Sequence, residues 1–191
     1  MRKLLLSIFL AAAGLAACGS VSFRGTALEQ PVAVPDFTLT DQHSQPFRLS
    51  DQRGYVVLLF FGYTACPDVC PTTLATWRNV HDDLGSRAQR VRFVFVTVDP
   101  ERDTPERLGI HLNAFDPDFV GLTGTQEQLQ AVYDIFGVYV EKQPVSGSAV
   151  GYLVSHTATT FVLDAAGNWR LVEGYGTDAA DIVYDVRQLL K

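Results

Sequence analysis

The chain has 191 residues, 47% of them hydrophobic and 19% charged, with a formal net charge of −6. This is ordinary globular composition, long enough for one domain with a buried core plus a short leader. It argues against a disordered chain, a collagen-like repeat or a multi-span membrane protein, and the acidic balance with no basic stripe argues against a nucleic-acid partner.

Arg2 and Lys3 form a short basic segment, followed by an apolar run of Leu, Ala and Phe over residues 4–15. The run falls well short of the roughly 20 residues that a membrane-spanning helix needs. Residues 1–17 therefore read as a signal peptide. Leu15-Ala16-Ala17-Cys18 resembles a bacterial lipobox, which implies cleavage before Cys18 and a diacylglycerol thioether on its sulfur. The plainer alternative is an ordinary cleavage site that abuts a cysteine. Loss of Arg2 and Lys3 would take the net charge from −6 to −8. The expected location is membrane-anchored, facing the periplasm or cell exterior. Residues 18–35 show no clear periodicity and read as the lipidated N-terminus and a tether.

One domain is expected over residues 36–191. Residues 37–40 and 47–50 alternate apolar and polar across a polar turn, the pattern of a hairpin. Residues 55–63 are almost continuously apolar, as in a strand buried on both faces. A helix is expected over 71–84 and a second buried strand over 91–98. Thr104 and Pro105 suit the cap and first turn of a helix reaching about residue 115. A short strand over 119–122 and a helix over 125–136 follow. Residues 159–163 and 169–173 read as a hairpin, and 178–190 as a closing amphipathic helix. Strands alternating with helices, then a hairpin and a helix, indicate an α/β sheet covered on both faces. That order matches the thioredoxin-like fold with an added N-terminal β-hairpin.

With Cys18 committed to lipid, Cys66 and Cys70 are the thiols left to the domain. An oxidising compartment allows them to be structural, redox-active or metal-binding. A disulfide closing so small a loop adds little stability, so the structural role is the weakest. Pro71 is expected to mark the helix start, leaving Cys66 and Cys70 in the preceding loop, where unpaired N–H groups and the helix dipole favour a thiolate. A thiolate can attack a disulfide or bind a soft metal. His43, His81 and His111 read as surface or boundary residues. His156 is expected in the loop before the strand at 159–163, which in a thioredoxin-like fold faces the cysteine loop. Thioredoxin-type oxidoreductases carry a cis-proline there; this chain has Ser155-His156-Thr157. Two sulfurs and an imidazole suit copper, since Cu(I) accepts three ligands, whereas zinc would need a fourth ligand or an open position. Alternatively, His156 only hydrogen-bonds to the backbone.

Three separated motifs resemble the Sco/SenC family of copper proteins of cytochrome c oxidase assembly. They are Gly62-Tyr63-Thr64-Ala65-Cys66-Pro67-Asp68-Val69-Cys70-Pro71, Val98-Asp99-Pro100-Glu101-Arg102-Asp103-Thr104-Pro105-Glu106, and Tyr152-Leu153-Val154-Ser155-His156-Thr157. The resemblance covers residues 35–190. It implies that Cys66, Cys70 and His156 ligate copper as Cu(I), with Cu(II) left open, and that Cys66 and Cys70 are a redox pair forming a disulfide when oxidised. It implies delivery to the CuA site of subunit II of cytochrome c oxidase, with another copper chaperone or a thiol reductase as a further partner. Asp99 is implied to support the site from behind the ligands, and Asp103 is expected to cap the helix that Thr104 starts. Ala65 stands where histidine is frequent in the family, and Ser155 where aspartate is frequent. Two other functions compete: a thiol–disulfide oxidoreductase that keeps recipient cysteines reduced, and a peroxidase-like antioxidant working through a sulfenic acid.

Overall fold

The computed structural model describes residues 22–147 and 151–191. The leader over 1–17 and Cys18 lie outside the described residues.

An eight-stranded sheet forms the frame, in the order β1 (Thr26–Ala33), β10 (Asn168–Glu173), β9 (Thr160–Leu163), β4 (Val56–Gly62), β5 (Val91–Thr97), β6 (Val120–Thr123), β2 (Thr38–Asp41) and β3 (Pro46–Arg48). Its centre is β4 (Val56–Gly62), all seven residues of which are buried. It pairs in parallel with β5 (Val91–Thr97) and antiparallel with β9 (Thr160–Leu163). A strand buried on both faces needs apolar residues at every position, which is why the run at 55–63 shows no alternation. β6 (Val120–Thr123) extends the parallel part, and the hairpin of β2 (Thr38–Asp41) and β3 (Pro46–Arg48) completes that edge.

The two faces of the sheet are covered by different helices. Phe60 and Phe61 point to opposite faces, as successive strand residues must. Phe60 meets Trp77 of α1 (Val69–Leu84) edge-on at 6.2 Å, and Phe61 meets Tyr133 and Phe136 of α3 (Gln126–Phe136) at 5.8 and 5.7 Å. Along α1 the buried residues are Cys70, Leu74, Trp77, Val80 and Leu84, a stripe at helical spacing. α2 (Pro105–Asn113) and α4 (Ala179–Leu189) share the α1 face, α2 through His111 beside Phe95 and α4 by packing on α1. Thr104 caps α2 by accepting from Arg107 N–H, and Thr125 and Gln128 form a reciprocal capping box on α3.

The stretch read as a tether is partly strand. β1 (Thr26–Ala33) pairs antiparallel with β10 (Asn168–Glu173) at the sheet edge. Its side chains are almost all exposed and its register shifts between Ala27 and Val32, so it carries neither an apolar stripe nor a strict alternation. A second sheet, also unforeseen, pairs β7 (Val140–Pro144) with β8 (Tyr152–His156). No helix among the described residues is long and apolar enough to cross a membrane.

Candidate metal and thiol site

The cysteine loop follows the C-terminal end of β4. Cys66 N–H donates to the Tyr63 carbonyl at 3.2 Å, closing a turn that places Cys66 over the start of α1. The helix begins at Val69, two residues before the proline expected to mark it. Pro71 fits there because the first-turn N–H groups have no partner within the helix, so a missing one costs nothing. Cys70 is therefore a helical residue of the first turn, fully buried, while Cys66 remains in the loop and partly exposed. Both are free thiols.

His156 is the last residue of β8, not a loop residue. Its ring packs edge-on against Phe60 at 5.8 Å and Tyr63 at 5.9 Å. Nδ1 lies 3.1 Å from the Thr157 carbonyl oxygen, a partner that can only accept, so Nδ1 carries the proton. This leaves Nε2 with its lone pair facing Cys70 Sγ at 3.5 Å. Cys66 Sγ accepts from Cys70 N–H at 3.4 Å. The ligand atoms of Cys66, Cys70 and His156 all lie within 4.8 Å of one another. An open groove of about 290 Å³ runs past them, lined by Pro67, Asp68, Gln143 and Leu153 among others.

The two sulfurs hold protons very differently. The hydrogen bond from the Cys70 thiol is the main influence on Cys66. Helped by backbone N–H groups, it holds the Cys66 pKa at about 3 against the opposing effect of burial. Cys70 is pushed far up, first by that same bond, then by burial and by the neighbouring negative sulfur. The resting pair is thus one thiolate and one thiol, the thiolate on the exposed side.

Two buried carboxylates lock the elements that carry these groups. Asp103 is fully buried and does not cap α2. It accepts from Thr64 N–H at 3.1 Å, the Thr64 hydroxyl at 2.6 Å and the Thr97 hydroxyl at 2.7 Å, which ties the cysteine loop to the end of β5. Thr64 Oγ1 in turn accepts from Arg107 Nε at 2.8 Å. Asp99, also fully buried, holds the strand that carries His156: Oδ1 accepts from the Tyr152 hydroxyl at 2.7 Å, and Oδ2 pairs with the Arg102 guanidinium. Arg102 donates to the Tyr152 carbonyl at 3.1 Å and stacks over the Tyr152 ring at 3.8 Å. Tyr63 links the two halves, its hydroxyl accepting from Val154 N–H at 3.3 Å. Thr64, Thr97, Arg102 and Tyr152 were not singled out from the sequence. Thr64, Arg102 and Tyr152 sit within the three motifs, and their clustering around the thiols and imidazole was the signal available.

Among the described residues one other group could hold a cation: His81, Asp82 and Asp116. Arg78 already occupies it, 3.0 Å from Asp82 and 3.6 Å from Asp116, so it is an ion-pair network. His43 is exposed and His111 half-buried, and neither belongs to the group formed by Cys66, Cys70 and His156.

Comparison with known proteins agrees with this geometry. The family described as SCO1/SenC matches residues 25–191. An SCO2-like protein of Rickettsia felis is 36% identical over 134 residues, covering 70% of this chain and 65% of that one, so the match spans just under two thirds of that relative. Among solved structures, apo Sco1 from Thermus thermophilus aligns with a TM-score of 0.79 at 41% identity, covering 90% of this chain and 99% of that one. ScoI of Bradyrhizobium japonicum, solved with copper bound, aligns with a TM-score of 0.76 at 34% identity, covering 83% of this chain and all of that one. The thioredoxin-like architecture read from the order of elements is the architecture of these neighbours.

Proposed function

The chain belongs to the SCO1/SenC family, and from that premise we propose that it is an extracytoplasmic copper metallochaperone, held at the membrane through Cys18, which delivers copper to the CuA site of subunit II of cytochrome c oxidase. The observation that carries this reading is the convergence of Cys66, Cys70 and the Nε2 lone pair of His156 on one point at the edge of an open groove. A copper-bound relative of the same fold supports it.

The residues supply the chemistry directly. Cys66, already a thiolate, offers the first ligand to an arriving Cu(I). The metal then displaces the proton of Cys70, and His156 Nε2 completes a three-coordinate set without losing a proton. Loading therefore releases one proton. Cys70 and His156 sit on the first turn of α1 and the end of β8 and are held rigidly, whereas Cys66 is the exposed ligand on a loop. Release follows by ligand exchange at that side: an incoming thiolate of the recipient displaces Cys66, then Cys70 and His156 are replaced in turn.

The low pKa of Cys66 and the buried thiol of Cys70 also favour a second activity, reduction of a recipient disulfide. Cys66 thiolate attacks one sulfur of that disulfide, forming a mixed disulfide and expelling the other sulfur as thiolate. Cys70 then passes its proton to the expelled thiolate and attacks Cys66, breaking the mixed disulfide and releasing the recipient's second sulfur as thiolate, so that two electrons pass to the recipient and Cys66–Cys70 becomes the disulfide.

The test is anaerobic Cu(I) titration of the reduced protein against a competing chelator, with His156→Ala and Cys66→Ser/Cys70→Ser beside it. One equivalent is expected for wild type, weaker binding for His156→Ala and none for the double cysteine variant. If His156→Ala binds as tightly as wild type, His156 is not a ligand and the disulfide reductase reading takes precedence.

A further inference from the structure

In an acidic chain, a group of cations collects at the pole of the domain opposite the thiols. The 3₁₀ turn Gly85–Arg90 carries Arg87 and Arg90, Arg187 lies in the last turn of α4, and Lys191 follows two residues after its end. All four are exposed, and among the described residues none is ion-paired with a carboxylate. Arg90 and Arg187 instead donate to backbone carbonyls, of Leu190 at 3.1 Å and Asp83 at 2.9 Å, which holds their positive ends in a fixed arrangement. The four line an open cleft of about 630 Å³ along α4.

The placement of this cleft follows from the topology. β5 begins at Val91, directly after the turn carrying Arg87 and Arg90, and the cysteine loop leaves the far end of the parallel strand β4. The 16 residues of α1 span the two poles, roughly 24 Å at 1.5 Å per residue. The N-terminal end of the described chain lies at the basic pole. Phe23 packs beside Ala165 and Leu189, and its ring lies 5.8 Å from the Arg170 guanidinium. Cys18 is five residues before Phe23, which an extended chain covers in at most about 18 Å.

We propose that the Arg87/Arg90/Arg187/Lys191 cleft is a docking surface for the anionic headgroups of the membrane in which the chain is anchored. This rests on the reading of Cys18 as the lipidated residue. A single lipid-bearing N-terminus would tether the domain without orienting it, and a net negative domain is repelled by an anionic bilayer. A cationic pole next to the point of attachment reverses that locally. The bilayer takes the basic end, the acidic remainder turns to water, and the Cys66/Cys70/His156 groove faces away from the lipid, open to a protein recipient. Each basic group near an anionic surface strengthens the attraction about fivefold, and the effect fades beyond roughly 8–10 Å at physiological salt.

The experiment uses the full chain, purified from membranes and reconstituted into vesicles of phosphatidylcholine alone or with phosphatidylglycerol. Mass spectrometry of the N-terminal peptide reports first whether Cys18 carries diacylglycerol. That measurement alone tests the anchoring reading. Hydrogen exchange is then followed at residues 85–90 and 187–191. Both segments are expected to exchange about tenfold more slowly on phosphatidylglycerol vesicles at low salt. The protection should vanish in 0.5 M salt and in R87E/R90E/R187E/K191E, which must still bind one Cu(I), showing that it is folded. Equal exchange on the two vesicle types by a diacylated chain overturns the proposal. So does protection that appears only when an acidic protein is added.

Discussion

The carboxylate of Asp103 offers a direct test of how the cysteine loop is held. It is fully buried and accepts three hydrogen bonds, two from Thr64 and one from Thr97. A hydrogen bond to a charged group contributes about 1.5–3 kcal/mol, and the desolvation of the carboxylate itself offsets part of that sum. Asp103→Ala removes the acceptor and leaves a buried N–H and two hydroxyls seeking partners. The expected loss of stability is therefore about 3 kcal/mol, among the larger effects of single substitutions. Asp103→Asn should cost less. Its amide N–H₂ can face Thr64 Oγ1, which already accepts from Arg107, while its oxygen still accepts from Thr64 N–H and the Thr97 hydroxyl. A loss of about 1–2 kcal/mol is expected for this variant. Because Thr64 lies two residues before Cys66, the alanine variant should also loosen the thiolate relative to Cys70. The expected fall in Cu(I) affinity is about tenfold, or ~1.4 kcal/mol. Denaturant unfolding gives the first quantity and chelator competition the second. An alanine variant within about 0.5 kcal/mol of wild type, the range of ordinary surface substitutions, would refute the argument that this carboxylate holds the loop.

Three further outcomes follow from the same geometry. Cys66, with its pKa held at about 3, should be alkylated by iodoacetamide at nearly the same rate at pH 5 and pH 8, whereas an ordinary thiol slows about a thousandfold over that range; a steep decline at low pH would show that Cys66 is not the resting thiolate. Glu173 is buried beside Asp185, and burial first, then the charge of Asp185 and a hydrogen bond to it, raise its pKa from 4.5 to about 8. The folded state then binds the extra proton between those values, so this contribution is complete below about pH 4.5 and is lost as pH rises towards 8. Glu173→Gln should flatten that dependence and raise stability at pH 8 by on the order of 2 kcal/mol, read from urea midpoints at pH 5 and 8; equal midpoints for the two proteins at pH 8 would contradict it. A Cβ at Gly62 would lie 2.8 Å from the rings of Phe60 and Phe95. Gly62→Ala should accordingly cost about 1–3 kcal/mol in thermal or chemical unfolding, and no measurable cost would mean that the rings yield freely.

Local chemistry made much of this protein legible in its sequence. The unbroken apolar run of β4 and the largely apolar run of β5, interrupted by Arg92, announce strands buried on both faces, and Thr104-Pro105 and Thr125 mark helix starts, because caps and periodicities act within a few residues. Cys66 and Cys70 were identifiable for the same reason: a buried strand running into a helix start fixes what lies between them. His156 was placed opposite them by the order of elements and by resemblance to a family, and the fold brings it there. Tertiary structure alone decided the rest. β1 and β7 are exposed edge strands, and their sequences lack the alternation that one-sided burial would impose. The hairpin that turns His156 from a loop residue into a strand residue was invisible for that reason. The role of Asp103 was misread because a capping aspartate and a buried anchor look alike in sequence. Only packing reveals that its partner Thr64 lies 39 residues away in sequence, just past the end of the neighbouring strand β4. Periodicity records which face of an element meets the core; it carries no record of which distant side chain completes a buried carboxylate.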